Sequence, residues 1–131
     1  MLDEKSPRGL RVVQITTNPN LASWNVYTEA PVFSPDSRRF VFIRERNYWL
    51  CDIAGGFALR QLTDERGAKG ASVSPDGKWV TYAKPETNWR NAIYLYEIAT
   101  KKKTRITNPV ISAGSPVFDP DGKYLYFLQD R

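Results

Sequence analysis

The chain has 131 residues, a net charge of +5, 41% hydrophobic and 13% aromatic residues, a composition that excludes a wholly disordered polypeptide. It has one cysteine (Cys51) and no histidine, so an internal disulfide, a Cys-based metal cluster and any Ser-His or Cys-His nucleophile pair are excluded. No apolar run approaches the ~18 residues of a membrane helix, no apolar signal-peptide core follows Met1, which makes a cytoplasmic location the expectation, and the positive charge favours an acidic partner.

Taken in chain order, Leu10–Thr16 reads as a strand ending on Gln14-Ile15-Thr16. A long polar loop, Thr17–Glu29, leads to the tight-turn cassette Val32-Phe33-Ser34-Pro35-Asp36-Ser37. The β-branched and aromatic run Phe40-Val41-Phe42-Ile43 follows as a strand, then Tyr48–Ile53 as another, the turn Ala54-Gly55-Gly56, and a strand ending on Gln61-Leu62-Thr63. The same sequence of elements recurs. Ser72-Val73-Ser74-Pro75-Asp76-Gly77 precedes Trp79-Val80-Thr81-Tyr82, a loop over Pro85–Asn91, Ile93–Ile98, a basic turn and Arg105-Ile106-Thr107. A third cassette, Val117-Phe118-Asp119-Pro120-Asp121-Gly122, precedes Tyr124-Leu125-Tyr126-Phe127. Pro at the second turn position presets φ, and Asp then Gly or Ser suits a type I turn.

Two landmarks therefore keep one period. The prolines at 35, 75 and 120 stand 40 and 45 residues apart, and the threonines at 16, 63 and 107 stand 47 and 44 apart. A repeat of about 40–45 residues is one four-stranded propeller blade. The expected fold is all-β, a partial β-propeller of four-stranded antiparallel blades in one incomplete domain over residues 1–131. Its parts are the outer strand 10–16, a full blade 30–63, a second full blade 71–107 and a half blade 115–129, so two full blades and two half blades built from eleven strands. Such open blades leave strand edges bare, and self-association through those edges is expected, with 10–16 of one copy on the half blade of another or blades end to end.

The Leu-Thr … Ser-Pro-Asp-Gly-Lys cassette resembles the WD-repeat-like propellers of the TolB type, also found in prolyl-oligopeptidase-like enzymes. A narrower likeness covers the first two-thirds. Residues Gly9–Thr16, Asn25-Val26-Tyr27-Thr28-Glu29, Phe33-Ser34-Pro35-Asp36, Asn47–Ile53 and Arg60-Gln61-Leu62-Thr63 resemble the amino-terminal blades of oligogalacturonate lyases. Those are seven-bladed enzymes that act on pectin-derived oligogalacturonides with a divalent metal held by His and Gln side chains. The resemblance implies no catalytic residue and no cofactor in this chain, because the family carries its histidines on later blades and this chain has Ser23-Trp24-Asn25 in the early loop. A divalent metal would belong only to a full lyase-like enzyme.

By the same resemblance, the functional end is built by loops entering each blade and loops between second and third strands. Candidate ligand-binding residues there are Trp24, Asn25, Tyr27, Arg46, Arg66, Trp89 and Arg90. Aromatics can stack on a sugar, and guanidinium groups bind carboxylates bidentately. The reading is a binding or scaffold module for an acidic oligosaccharide or a protein partner, with no nucleic acid and no membrane. The alternative is the amino-terminal part of an oligogalacturonate-lyase-like enzyme. The bland alternative for the residues is that Trp24 and Trp89 plug blade tops and the arginines are solvated charges. Lys101-Lys102-Lys103-Thr104-Arg105 reads as a solubilising hairpin turn at the opposite end, and Cys51 as a buried inert thiol.

Overall fold

The computed structural model describes residues 9–26, 31–65, 67–86, 90–108 and 111–130. These form three antiparallel sheets and no helix. The first sheet runs in sequence order through β1 (Ser23–Asn25), β2 (Arg39–Arg44), β3 (Asn47–Asp52) and β4 (Ala58–Gln61). The second runs through β5 (Lys69–Val73), β6 (Trp79–Pro85), β7 (Asn91–Glu97) and β8 (Lys103–Arg105), and the third holds β9 (Ser112–Phe118) and β10 (Leu125–Asp130). Each sheet is a meander of hairpins, as expected where short β-rich runs are separated by tight turns.

The Pro-Asp turns carry their own hydrogen bonds. Ser34 Oγ donates to Asp36 Oδ1 at 2.6 Å, and Asp36 Oδ1 accepts the Arg38 N–H at 3.0 Å. Ser74 and Asp76 repeat this at 2.6 Å, with the Lys78 N–H at 3.0 Å. The serine bond, first, and the backbone N–H lower the pKa of Asp36; at Asp76 the serine bond again outweighs the opposing effect of burial. In the third turn the first position is Asp119, whose Oδ1 accepts the Tyr124 N–H at 2.9 Å. The fourth turn position has positive φ in all three copies: 54° at Ser37, 68° at Gly77 and 69° at Gly122.

The threonine landmark also has a physical cause. Thr63 Oγ1 accepts the N–H of Tyr48 at 2.9 Å, and Thr107 Oγ1 accepts that of Ile93 at 3.0 Å. Each threonine thus ties the end of a fourth strand to the start of the third. Among the described residues, no such third strand lies beside Thr16. Residues 10–16 correspondingly form no strand, which corrects the expected outer strand and leaves ten strands among the described residues where eleven were expected. What survives there is local: Gln14 Nε2 donates to the Thr16 carbonyl at 3.1 Å, as Gln61 Nε2 does to Thr63 at 2.6 Å. A ladder needs a partner, and without one Leu10, Val12 and Val13 stay exposed.

The first strand of every sheet shifts register against the second at the same level. Between Tyr126↔Val117 and Leu128↔Gly114, β10 moves two residues while β9 moves three, a one-residue bulge at Ser115 with φ 51°. The second sheet bulges likewise between Lys69 and Ser72, at Gly70 with φ 56°. In the first sheet, Asn25 pairs with Phe42 and Phe33 with Phe40, so one side advances eight residues while the other retreats two. The single-residue bulge of the other sheets is there a six-residue excursion.

The core lies between sheets. Val41, Tyr48, Leu50 and Leu62 of the first meet Val80, Tyr82 and Tyr96 of the second, all buried. The junction of the second and third sheets is built from Ala83, Ile93 and Ala113, with Leu125 against them. Cys51 is fully buried, and burial, then the neighbouring Asp52 charge, push its thiol pKa up.

Candidate functional site

Connections that leave a fourth strand and turns that join second to third strands come together at one end of the sheets. The 64–69 connection bridges two blades there. Gly67 donates its N–H to the Arg46 carbonyl at 3.4 Å, and a Cβ at Gly67 would meet Pro85 Cγ at 3.2 Å. Arg46, in the β2–β3 turn with φ 61°, therefore borders the same connection as the end of β6. Arg90 follows Pro85 across the β6–β7 loop, where its carbonyl accepts the Glu86 N–H at 2.7 Å. On the near side, Ser23 pairs with Arg44 and Glu45 Oε1 accepts the Ala22 N–H at 2.8 Å, which brings Trp24 and Asn25 to this end.

Trp24 and Asn25 lie on strand β1, a correction to the loop assignment for Thr17–Glu29. The loop-rich composition concealed three strand residues next to a long excursion. Both side chains are exposed, Trp24 by 47%. Arg46 and Arg90 are exposed as well. The structure thus brings Trp24, Asn25, Arg46 and Arg90 to one end. Tyr27, Arg66 and Trp89 lie outside the described residues.

The residues that sequence reasoning missed are the ones that neutralise this end from below. Lys103 Nζ binds Asp64 Oδ1 at 2.7 Å and Glu65 Oε1 at 3.3 Å, while Lys84 Nζ meets Glu65 at 3.4 Å. Arg105 binds Glu86 Oε2 at 2.8 Å, and Tyr94 OH donates to Glu86 Oε1 at 2.6 Å. Burial opposes the charge on Lys103, but the two carboxylates outweigh it and raise its pKa; the Lys103 bond is the first cause lowering that of Asp64. Lys103 and Arg105 therefore open and close strand β8 and face carboxylates, which corrects the reading of 101–105 as a solvated turn; only Lys101 and Lys102 fit it. Their signal was alternation, Lys103 and Arg105 two apart on a strand. Arg44 stands over the Trp49 ring at 5.6 Å.

Among the described residues of the first two sheets, what is left unpaired at this end is cationic: Arg46, Lys69 and Arg90 have no side-chain partner, while Glu45, Asp64, Glu65 and Glu86 are engaged. In the third sheet the exposed Asp130, at the end of β10, has no side-chain partner either. This end can hold a carboxylate against guanidinium groups beside an exposed indole. No group of three or more His, Cys, Asp and Glu side chains among the described residues is placed to hold a metal. At the opposite, Pro-Asp end, a groove of about 440 Å³ opens between the first two sheets over Leu50, Leu59 and Ile98, with Arg39, Arg60 and Glu97 at its rim.

Four-stranded antiparallel meanders packed face to face at this repeat length decide the fold. The chain has a partial β-propeller fold. Acinetobacter baumannii TolB matches with a TM-score of 0.64 at 21% identity, over 86% of this chain and 28% of that one. Oligogalacturonate lyase of Vibrio parahaemolyticus matches with a TM-score of 0.69 at 20% identity, over 83% of this chain and 30% of that one. In sequence, these propeller blades are 34% identical over 100 residues to a Sulfurisphaera tokodaii protein described as a Tricorn-like protease C-terminal subunit. They are 47% identical over 57 residues to a Tricorn protease homolog of Saccharolobus solfataricus. Those matches take in 75% and 44% of this chain, which spans only 12% and 5% of the two relatives. No family model matches the chain.

Proposed function

We propose that these blades are a binding or scaffold module whose cationic end takes an acidic oligosaccharide. The observation that supports it is the imbalance of pairing in the first two sheets: Arg46, Lys69 and Arg90 are unpaired at the same end as exposed Trp24, while the carboxylates of Glu45, Asp64, Glu65 and Glu86 are spent on lysines, Arg105, Tyr94 and backbone. A guanidinium binds a sugar carboxylate through two parallel hydrogen bonds, and an exposed indole offers its face to the apolar side of a sugar ring. Isothermal titration of the 131-residue chain with a short oligogalacturonide tests this. Binding is expected, weakening roughly tenfold on Trp24→Ala or Arg46→Ala and falling with added salt. No heat and no amide shift changes at millimolar ligand overturn the reading.

A second reading has the sequence matches in its favour: the blades of a Tricorn-like protease, presenting the same end to peptide. An acidic peptide titrated beside the glycan separates the two. The lyase-like enzyme reading rests on likeness of fold at 20% identity.

A further inference from the structure

The groove at the Pro-Asp end lies between the two complete four-stranded sheets, so both of its walls are built within this chain. Its volume, about 440 Å³, falls in the range of roughly 300–1,000 Å³ common for clefts that hold a ligand. Leu50 and Ile98 are buried at its floor, and the small side chains of Ala58 and Ala99 border it. The charges at the rim are mostly matched: Arg39 meets Asp52 at 3.9 Å, Lys78 meets Asp76 at 3.6 Å, and Glu97 accepts the Thr100 hydroxyl. Arg60 differs. It is half-buried, and among the described residues its side chain has no partner.

The wall that carries Arg60 is strand β4, the last of its sheet, with β3 on one side and no described strand on the other. Leu62 donates its N–H to the Tyr48 carbonyl at 2.8 Å, so by alternation the peptide groups of Ala58 and Arg60 also point to β3. Those of Leu59 and Gln61 point the other way, to the bare edge. Arg60 pairs with Leu50 and Ala58 with Asp52, so both side chains share the face that looks across to the second sheet.

We infer that this groove takes an extended segment of a protein partner, added to β4 as an antiparallel fifth strand with an acidic residue and, two residues later, an aliphatic one facing the second sheet. The free N–H and C=O groups of Leu59 and Gln61 are what an added strand bonds. Antiparallel addition continues the meander of the sheet and is the more stable pairing. The residue opposite Arg60 then lies on the groove face, where a carboxylate meets the unpaired guanidinium through two parallel hydrogen bonds. The residue opposite Ala58 lies on the same face and enters the space over Leu50 and Ile98 that Ala58 and Ala99 leave open. This site is at the opposite end from Trp24 and Arg46 and does not depend on what those residues bind.

The probe is a capped, fluorescent pentapeptide, Thr-Glu-Thr-Leu-Thr, into which the 131-residue chain is titrated to millimolar concentration by anisotropy, with amide shifts of the unlabelled complex mapping the contact. Saturable binding is expected, with shifts at Leu59, Gln61, Ile98 and Ala99. Arg60→Gln, or glutamine in place of the peptide's glutamate, should each weaken binding roughly tenfold, and the two losses should not add, because they remove the same pair. Ala58→Trp, at an exposed position, should fill the groove and abolish binding without unfolding the chain. Leu59→Pro removes an N–H that faces the bare edge and not β3, and should abolish binding with an unchanged far-UV spectrum. Octanoate, titrated alone, separates a strand from a small carboxylate with an apolar tail. The inference is overturned if the peptide does not bind at millimolar protein, if Arg60→Gln, Ala58→Trp or a folded Leu59→Pro protein binds it as well as wild type, if its shifts fall at the Trp24 end, or if octanoate moves the groove amides and the peptide does not.

Discussion

The two junctions between sheets solve the same packing problem with opposite materials. The first is wide and aromatic: Tyr48 and Tyr82 have ring centroids 6.2 Å apart, Tyr82 and Tyr94 stack at 5.9 Å, and the Asp64–Glu65 connection lies across lysines of the second sheet. The second is narrow. Ala83, Ile93 and Ala113 leave so little room that a Cβ on Gly70 would come within 3.3 Å of Ser115 Cα. A propeller repeat therefore constrains how far apart blades sit only through the pair of faces that meet. Large rings hold the first junction open and admit a partly exposed charge cluster, while small side chains bring β5 and β9 close and leave no space for one.

The largest expected effect comes from emptying the wide junction. Tyr82 is fully buried, and truncation to Ala should cost about 3–5 kcal/mol, as for other large buried rings. Its hydroxyl has no hydrogen-bond partner, and burial, followed by the nearby Glu65 charge, raises its pKa well above the ordinary tyrosine range. Tyr82→Phe removes that unpartnered group while keeping the ring, so it should be neutral or stabilising by up to about 1 kcal/mol. Chemical denaturation of both variants decides: a large loss from Tyr82→Phe would mean that the hydroxyl, not the ring, holds the junction.

Overfilling the narrow junction should cost less. Gly70→Ala places a Cβ against backbone at 3.3 Å and forces an L side chain to a φ of 56°. A loss of about 1–3 kcal/mol is expected, from left-handed strain and displacement of β9 together. The same substitution at Gly56, with φ 73° but nothing within 4 Å, isolates the strain. Equal losses at both positions would show that the close approach contributes nothing.

What could be read ahead of the structure was what is local. The Pro-Asp turns at 35, 75 and 120 and the aromatic runs after them place β2, β6 and β10 because turn chemistry and β-propensity act over a few residues. The threonine landmark was visible as spacing, though its cause, a bond from Thr63 to the Tyr48 N–H, joins residues 15 apart. The same local reading misled at Leu10–Thr16, where the pattern of a strand stands without a neighbour to pair with. Trp24 was assigned to a loop because β1 is three residues long and is separated from its continuation at Phe33 by the six-residue excursion. Lys103 and Asp64 are 39 residues apart, and no periodicity announces that they meet. Arg46 and Arg90 were legible as exposed cations, but that they are the unpaired ones depends on where Lys84, Lys103 and Arg105 find their partners.

The smallest predicted effect tests the comparison at the Pro-Asp turns. These turns nest: a Cβ at Gly122 would meet Pro75 Cδ at 3.3 Å, and one at Gly77 would meet Ser34 Cβ at 3.4 Å. Each later turn sits against the one before it, so glycine there provides both the left-handed φ and the space. The first turn has Ser37 at φ 54°, and no described turn precedes it. Only the backbone cost remains at that position, so Ser37→Gly should relieve strain and be stabilising by about 0.5 kcal/mol net of the added chain entropy of glycine, or roughly 2 °C in melting temperature. The reverse change at the nested turn, Gly122→Ser, adds strain and crowding together and should cost about 1–2 kcal/mol. Thermal melts of the two single variants measure the difference. If Gly122→Ser costs no more than Ser37→Gly returns, the turns do not press on one another, and the repeat would tolerate serine at any of its three copies.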